Sequence, residues 1–225
     1  MGRIARIVVP GYPHHLTQRG NRRQDTFFDE GDCRAYLDLV VAWCWGCGVE
    51  IWAYCLMPNR VHLVGVPGSA DGLRRGIGEA HRRYTRRINL REGWRGHLWQ
   101  GRFASYVMDE GHLLAAVRYI ETNAVGAGLA ESAAAWPWSS AAGHLAGRDD
   151  VLVKVQPMLD LVSTLMPDWQ AYLALETPAE TIERLRRHER TGRPLGRDGF
   201  LGKLEAVVGR LLRPNRPGRP RKTSQ

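Results

Sequence analysis

Apolar positions recur along the chain in two rhythms. Between Asp29 and Gly46, the residues Tyr36, Leu37, Val40, Val41 and Cys44 fall at three- and four-residue steps, which is one face of a helix, and Gly46 and Gly48 end the pattern. Val49 to Leu56 is rich in β-branched and aromatic residues and predicts a strand. Met57-Pro58-Asn59 supplies a turn, and Arg60 to Val66, apolar at Val61, Leu63 and Val64, predicts the returning strand of a hairpin. Helical spacing returns over Asp71 to Leu90, with Leu73, Ile77, Tyr84 and Ile88 as its stripe, and over Glu110 to Asn123. Ile4 to Thr17 reads as an extended segment broken by Pro10, Gly11 and Pro13, followed by a polar, basic turn at Thr17 to Arg23. Arg91 to Tyr106 reads as an aromatic and basic loop running into a strand. Strands alternating with helices around one hairpin predict an α+β fold, an antiparallel sheet with helices on one face, for which a ferredoxin-like layout is one solution.

Gly147-Arg148-Asp149-Asp150 marks a boundary. The pattern therefore divides the chain into a domain over 1–147, a small helical extension over 148–212 with a possible DNA-binding role, and a basic tail over 213–225. The extension holds short helical patterns at Met158 to Met166, Trp169 to Leu175 and Thr181 to Arg190. It ends in Phe200 to Leu212, whose stripe is Leu201, Leu204, Val207, Val208 and Leu211. The tail is rich in proline and arginine and is expected to be disordered.

Charge sharpens this picture. Lysine and arginine total 32 against 23 acidic residues, a net charge of +9, which favours a polyanionic partner. The 71–91 helix carries seven arginines against two acids. Arg75, Arg82, Arg83 and Arg86 are candidate phosphate contacts there, with Arg19, Asn21 and Arg22 in the first basic turn and Arg102 in the aromatic loop. Trp94, Trp99 and Phe103 stand among basic residues: exposed they would stack unpaired bases, buried they would be core. Pro217-Gly218-Arg219-Pro220-Arg221-Lys222 resembles an AT-hook core, in which Arg219 and Arg221 would enter a narrow minor groove; otherwise the tail gives only unspecific attraction. No apolar run approaches the roughly 20 residues of a membrane span. Met1 to Pro10 does not read as a signal peptide, so a cytoplasmic protein without membrane partners is expected. Cys44-Trp45-Gly46-Cys47 has redox or zinc spacing, but Cys33 and Cys55 form no second close pair, and buried core cysteines are the simpler reading.

Two places carry candidate chemistry. Tyr119 and Asn123 are four apart on a helix and share a face, while Leu113, Leu114, Val117 and Ile120 sit mostly elsewhere. A phenol so placed can attack a phosphodiester and hold the DNA end covalently, although most helix tyrosines simply pack. In Arg60-Val61-His62, positions 60 and 62 point to one face of a strand. Two ligands at that spacing can hold a divalent ion, which an amide oxygen from Asn123 could complete, but only His62 is a histidine.

Five blocks then fall in order. They are Tyr12-Pro13-His14-His15-Leu16-Thr17-Gln18-Arg19-Gly20-Asn21, Ala53 to Val64 containing Met57-Pro58-Asn59-Arg60-Val61-His62, Gly96-His97-Leu98-Trp99-Gln100-Gly101-Arg102-Phe103, Arg118-Tyr119-Ile120-Glu121-Thr122-Asn123, and Trp136-Pro137-Trp138-Ser139-Ser140. This series resembles the REP-associated tyrosine transposases, among the histidine-hydrophobic-histidine (HUH) single-tyrosine transposases, over about the first 150 residues. The resemblance implies a ferredoxin-like catalytic domain, often dimeric. It also implies cleavage and rejoining of single-stranded DNA beside hairpins through a 5′-phosphotyrosine, with Mg²⁺ or Mn²⁺ as cofactor. By position it makes Tyr119 the nucleophile and His62 and Asn123 metal ligands.

The chain departs from the pattern at Arg60, where the first histidine is expected. A guanidinium stays protonated and has no lone pair for a cation. Weakened or lost metal-dependent cleavage is therefore expected, and with it a descendant that only binds DNA or RNA hairpins; alternatively Arg60 itself neutralises the scissile phosphate. A second departure is Asn123-Ala124-Val125-Gly126, where a proline and a basic residue are usual.

Overall fold

A computed structural model describes residues 5–213. Arg219, Arg221 and the rest of the AT-hook-like segment lie outside the described residues. The strands are β1 (His14–Arg19), β2 (Val49–Met57), β3 (Arg60–Pro67) and β4 (Ala104–Val107). The helices up to residue 147 are α1 (Glu30–Trp45), α2 (Gly72–Glu92), α3 (Glu110–Glu121), α4 (Asn123–Gly126) and α5 (Ala141–Ala146). Beyond them come α6 (Gln156–Ser163), α7 (Trp169–Ala174), α8 (Ala179–Thr191) and α9 (Asp198–Val208). The order β1-α1-β2-β3-α2-β4, folded into an antiparallel sheet ordered β2-β3-β1-β4, is the expected ferredoxin-like layout.

β1 begins only after Pro13 and runs on to Arg19, later than the extended pattern placed it. Pro10 and Pro13 lack the N–H that a ladder requires, so pairing starts at His14. Helix starts follow their caps: the Asp29 and Asp109 side chains accept the N–H groups of Asp32 and His112.

The sheet is covered on both faces, not one. Val49, Ile51, Tyr54, Leu56, Val61 and Leu63 pack under α1 and α2, while Ala53, Cys55, Met57, Val64 and Tyr106 pack under α3 and the extension. A bulge between Ile51 and Ala53 switches the alternation within β2, so that Ile51 and Tyr54 share a face. Periodicity missed this second layer because a strand buried on both sides reads as a nearly continuous apolar run.

The extension adds directly to this core. Met158, Val162, Trp169, Tyr172 and Leu185 belong to the same cluster as Tyr106 and Tyr119. Glu121, fully buried on α3, accepts hydrogen bonds from Ser140 Oγ, His144 Nδ1 and Trp169 Nε1, tying α3, α5 and α7 together. In α9 only part of the predicted stripe is used. Leu204 is buried against Ile7, Val9 and Val107, while Val207 is 67% exposed; the helix ends at Val208, short of the predicted Leu212, because Gly209 caps it in the left-handed region, and Leu211 beyond it is 80% exposed. Cys33, Cys44 and Cys55 are buried free thiols and Cys47 is half-buried, as core packing predicts. No helix among the described residues is long and apolar enough to cross a membrane.

Candidate active site

Alternation along β1 aims His15, Thr17 and Arg19 at one face, and the register with β3 sets Thr17 beside His62 and Arg19 beside Arg60. α3 lies over the same face. Tyr119 meets His62 edge-on, ring centroids 5.7 Å apart, within one chain. The Arg186 guanidinium of α8 lies beside the phenol, which holds it above its ordinary pKa. Tyr119 is only 7% exposed because α8 lies across it.

His62 has a closer neighbour. His15 Nε2 lies 3.1 Å from His62 Nδ1, and His15 Nδ1 lies 2.6 Å from the Tyr106 hydroxyl. Glu189 of α8 brings a carboxylate oxygen to 3.9 Å from His62 Nδ1. The potential ligand atoms of His15, His62 and Glu189 all fall within 4.8 Å of one another. Burial lowers the pKa of His15 to about 3 and holds His62 well below its ordinary value, with His15 and Arg60 adding to the effect on His62. Both imidazoles are thus neutral, the form that ligates metal. Burial also raises Glu189 to about 7, against the pull of Arg60 and Arg19.

Sequence patterns assign no role to His15, Arg186 or Glu189. His15 sits inside a recognised block, and strand alternation was the signal that could have marked it. Nothing in the charged pattern of 179–191 sets Arg186 and Glu189 apart from its other ionic residues. Asn123 begins α4, one turn beyond Tyr119, and its buried Nδ2 has no hydrogen-bond partner among the described residues. Arg60 is half-buried, and its Nε is likewise without one.

The site opens on a polar cleft of about 640 Å³, lined by Arg19, Arg23, Arg60, Arg102, Arg186 and Arg190 around Glu189. Convergent guanidinium groups on a polar floor suit a backbone phosphate. Next to it Asn21–Arg23 forms a 3₁₀ turn in which Arg22 and Arg23 hold φ values of 52° and 65°, aiming exposed cations outward from a backbone that non-glycine residues rarely adopt.

The arginines of α2 divide by role. Arg91 donates twice to buried Asp32, locking α2 to α1. Arg82 and Arg83 both pair with Glu79, and Arg74 pairs with Asp71. Arg75, Arg86 and Arg87 are exposed. Of the loop aromatics, Trp99 and Phe103 are buried, whereas Trp94 is 42% exposed and packs on Phe28.

Comparison with known proteins finds the same fold. The structure of a REP-associated tyrosine transposase bound to a REP hairpin superposes with a TM-score of 0.56 at 21% identity, covering 68% of this chain and 92% of that one. A protein of Deinococcus radiodurans R1 described as a transposase matches at 23% identity with a TM-score of 0.38, over 53% of this chain and 96% of its own. No curated protein matches the chain. The family model for IS200-like transposases matches residues 9–123, which include His15, His62, Tyr119 and Asn123, and the chain belongs to that family.

Proposed function

We propose that this transposase-family protein binds single-stranded or hairpin DNA and cleaves and rejoins one strand through Tyr119. The observation that carries the reading is the Tyr119 phenol packed edge-on against His62 in its own chain, linked through Arg186 to an arginine-lined cleft. In the reaction the phenol oxygen attacks phosphorus and gives up its proton. The bond from phosphorus to the 3′ oxygen breaks, and that oxygen leaves as a hydroxyl. A phosphodiester is exchanged for a phosphotyrosine ester, so the reverse step rejoins the strand without an outside energy source. Arg19, Arg60 and Arg186 counter the charge of the phosphate as its geometry changes. Asn21, Arg22 and Arg102 flank the cleft, and the exposed cations of α2, Arg75 and Arg86 with Arg82 and Arg83, extend the surface for backbone phosphates. The structural relative solved with a REP hairpin supports a hairpin as the DNA form.

The divalent cation, Mg²⁺ or Mn²⁺, fits this site through a ligand set other than the family pair. Arg60 offers no lone pair, but His15 and His62 present two neutral imidazoles and Glu189 a carboxylate, with Tyr106 behind His15 as the outer partner that fixes its ring. Two imidazoles favour Mn²⁺ over Mg²⁺. Asn123 stands one turn from Tyr119 as a further oxygen donor. When bound, the cation supplies Lewis-acid polarisation of the phosphoryl oxygen.

The test is incubation with labelled hairpin oligonucleotides bearing single-stranded flanks, in Mn²⁺, followed by a denaturing gel. A covalent adduct that disappears in Tyr119→Phe supports cleavage. Hairpin binding with no adduct supports the second reading, a binding protein with impaired catalysis. That reading is favoured by Arg60 beside His62 and by the cover of α8 over Tyr119.

A further inference from the structure

Pro58 and Asn59 form the two-residue loop that joins β2 to β3, and their carbonyls receive the segment that follows β1. The Gly20 N–H donates to the Asn59 carbonyl at 2.9 Å, and the Thr26 and Phe27 N–H groups both donate to the Pro58 carbonyl, at 2.7 and 3.0 Å. Residues 20–27 are thereby laid over the hairpin tip. Within them, Arg22 and Arg23 both stand in the left-handed region, at φ 52° and 65°. An L side chain there crowds the following carbonyl oxygen, so two such residues in a row keep this shape only where their surroundings fix it. Two backbone bonds close the turn from inside, from the Arg23 N–H to the Gly20 carbonyl and from the Gln24 N–H to the Asn21 carbonyl. From outside, the Asn59 side chain reaches in, and its Nδ2 donates to the Arg23 carbonyl at 3.1 Å. Arg23 lines the polar cleft of the candidate active site together with Arg19, Arg60 and Arg102.

We propose that Asn59 is a positioning residue for strand binding: by holding the Arg23 carbonyl it fixes the strained turn in the shape that brings the Arg23 side chain to a backbone phosphate in the cleft. Asn59 acts through Arg23 and touches no DNA itself. The position calls for a neutral side-chain donor, since a carboxylate of the same size would set an acceptor against the Arg23 carbonyl. One hairpin tip thus places cations from two segments. Arg60, the next residue along the chain, stands opposite Arg19 in the sheet, while Asn59 holds Arg23 beside them. The assignment rests on the strand-binding part of the proposed function, not on cleavage.

Fluorescence polarisation with a labelled all-thymine ten-nucleotide strand, repeated over a series of salt concentrations, tests it in the wild-type protein, Asn59→Ala, Arg23→Ala and the double variant. The bonds that lay residues 20–27 on the hairpin tip use backbone atoms of Pro58 and Asn59, so Asn59→Ala keeps them, and its urea midpoint should stay close to that of wild type. Arg23→Ala is expected to bind about tenfold more weakly. Its slope of log affinity against log salt should fall by about 0.7, the share of one phosphate on a single strand. Asn59→Ala is expected to show both changes although it removes no charge, and the double variant to bind no more weakly than Arg23→Ala. A neutral substitution that lowers the salt slope is a signature that a general loss of stability does not give. A wild-type slope in Asn59→Ala, or losses that add in the double variant, overturns the assignment and leaves strand binding standing. Unchanged affinity in Arg23→Ala overturns it as well, with Asn59 untouched, so a misfolded Asn59 variant cannot mask the result. Failure of the wild-type protein to bind the strand overturns the strand-binding reading and this assignment together.

Discussion

His15 Nε2 and His62 Nδ1 face each other at 3.1 Å across two neighbouring strands, a separation at which both nitrogens can ligate one metal ion. His15 is not the partner that spacing along β3 would supply to His62, since that position is Arg60. If the site works as proposed, His15→Ala and Glu189→Ala each abolish Mn²⁺ binding measured by calorimetry, as His62→Ala does. Tyr106→Phe, which removes the hydroxyl beside His15 Nδ1, weakens it about 10- to 100-fold. Unchanged Mn²⁺ affinity in His15→Ala would show that this pair is only a structural hydrogen bond.

Arg60→His supplies the missing ligand and removes a cation from beside His62. The expected result is tighter Mn²⁺ binding and more covalent adduct. Arg60→Ala separates the two causes, since it removes the charge and adds no ligand. Should Arg60→His lower adduct yield, Arg60 would instead be a phosphate contact the reaction requires.

Glu121→Ala leaves the buried ring N–H groups of His144 and Trp169 with no acceptor and Ser140 Oγ with only the Tyr54 carbonyl at 3.4 Å. The cost is about 3–5 kcal/mol, read as a lowered urea midpoint. Because Glu121 lies two residues from Tyr119 on α3, adduct formation should fall even at temperatures where the variant remains folded. A midpoint within error of wild type would mean that the network contributes nothing to holding the extension on the sheet.

Acid should destabilise the metal-free protein well above the range where carboxylates titrate. Burial lowers His14 to about 4 and His15 and His81 to about 3, against 6.5 when unfolded. Between those values the unfolded chain binds more protons than the folded one. Stability therefore falls as the pH drops from about 6.5 towards 3, by up to about 1.4 kcal/mol for each such histidine with every pH step of one. Glu189 works in the opposite sense. Its pKa rises from 4.5 to about 7, so the folded state gains stability as pH falls through that interval, which offsets part of the loss. Denaturation midpoints in chelator at pH 7.5, 6 and 4.5 should decrease in that order.

Gly20 joins β1 to the turn bearing Arg22 and Arg23. A Cβ there would collide with the Gln24 carbonyl oxygen. Gly20→Ala should therefore displace the turn and weaken binding of an all-thymine strand. Near-UV circular dichroism should show the core intact, since Leu16 and Trp99 are held by other contacts.

Much of this protein was legible along the chain. The hairpin Val49 to Val66, α1, α2 and α3 follow from local periodicity and capping, because each buries one face whose spacing is written in consecutive residues. Tyr119 and His62 were legible too, as parts of ordered blocks. What local pattern could not hold is which residues meet across distance. The second helical layer, the pairing of His15 with His62, and the arrival of Arg186 and Glu189 over Tyr119 depend on strand register and on α8 packing back across the sheet. Those are contacts between segments separated by dozens of residues, fixed by burial in three dimensions, and no spacing within one segment encodes them.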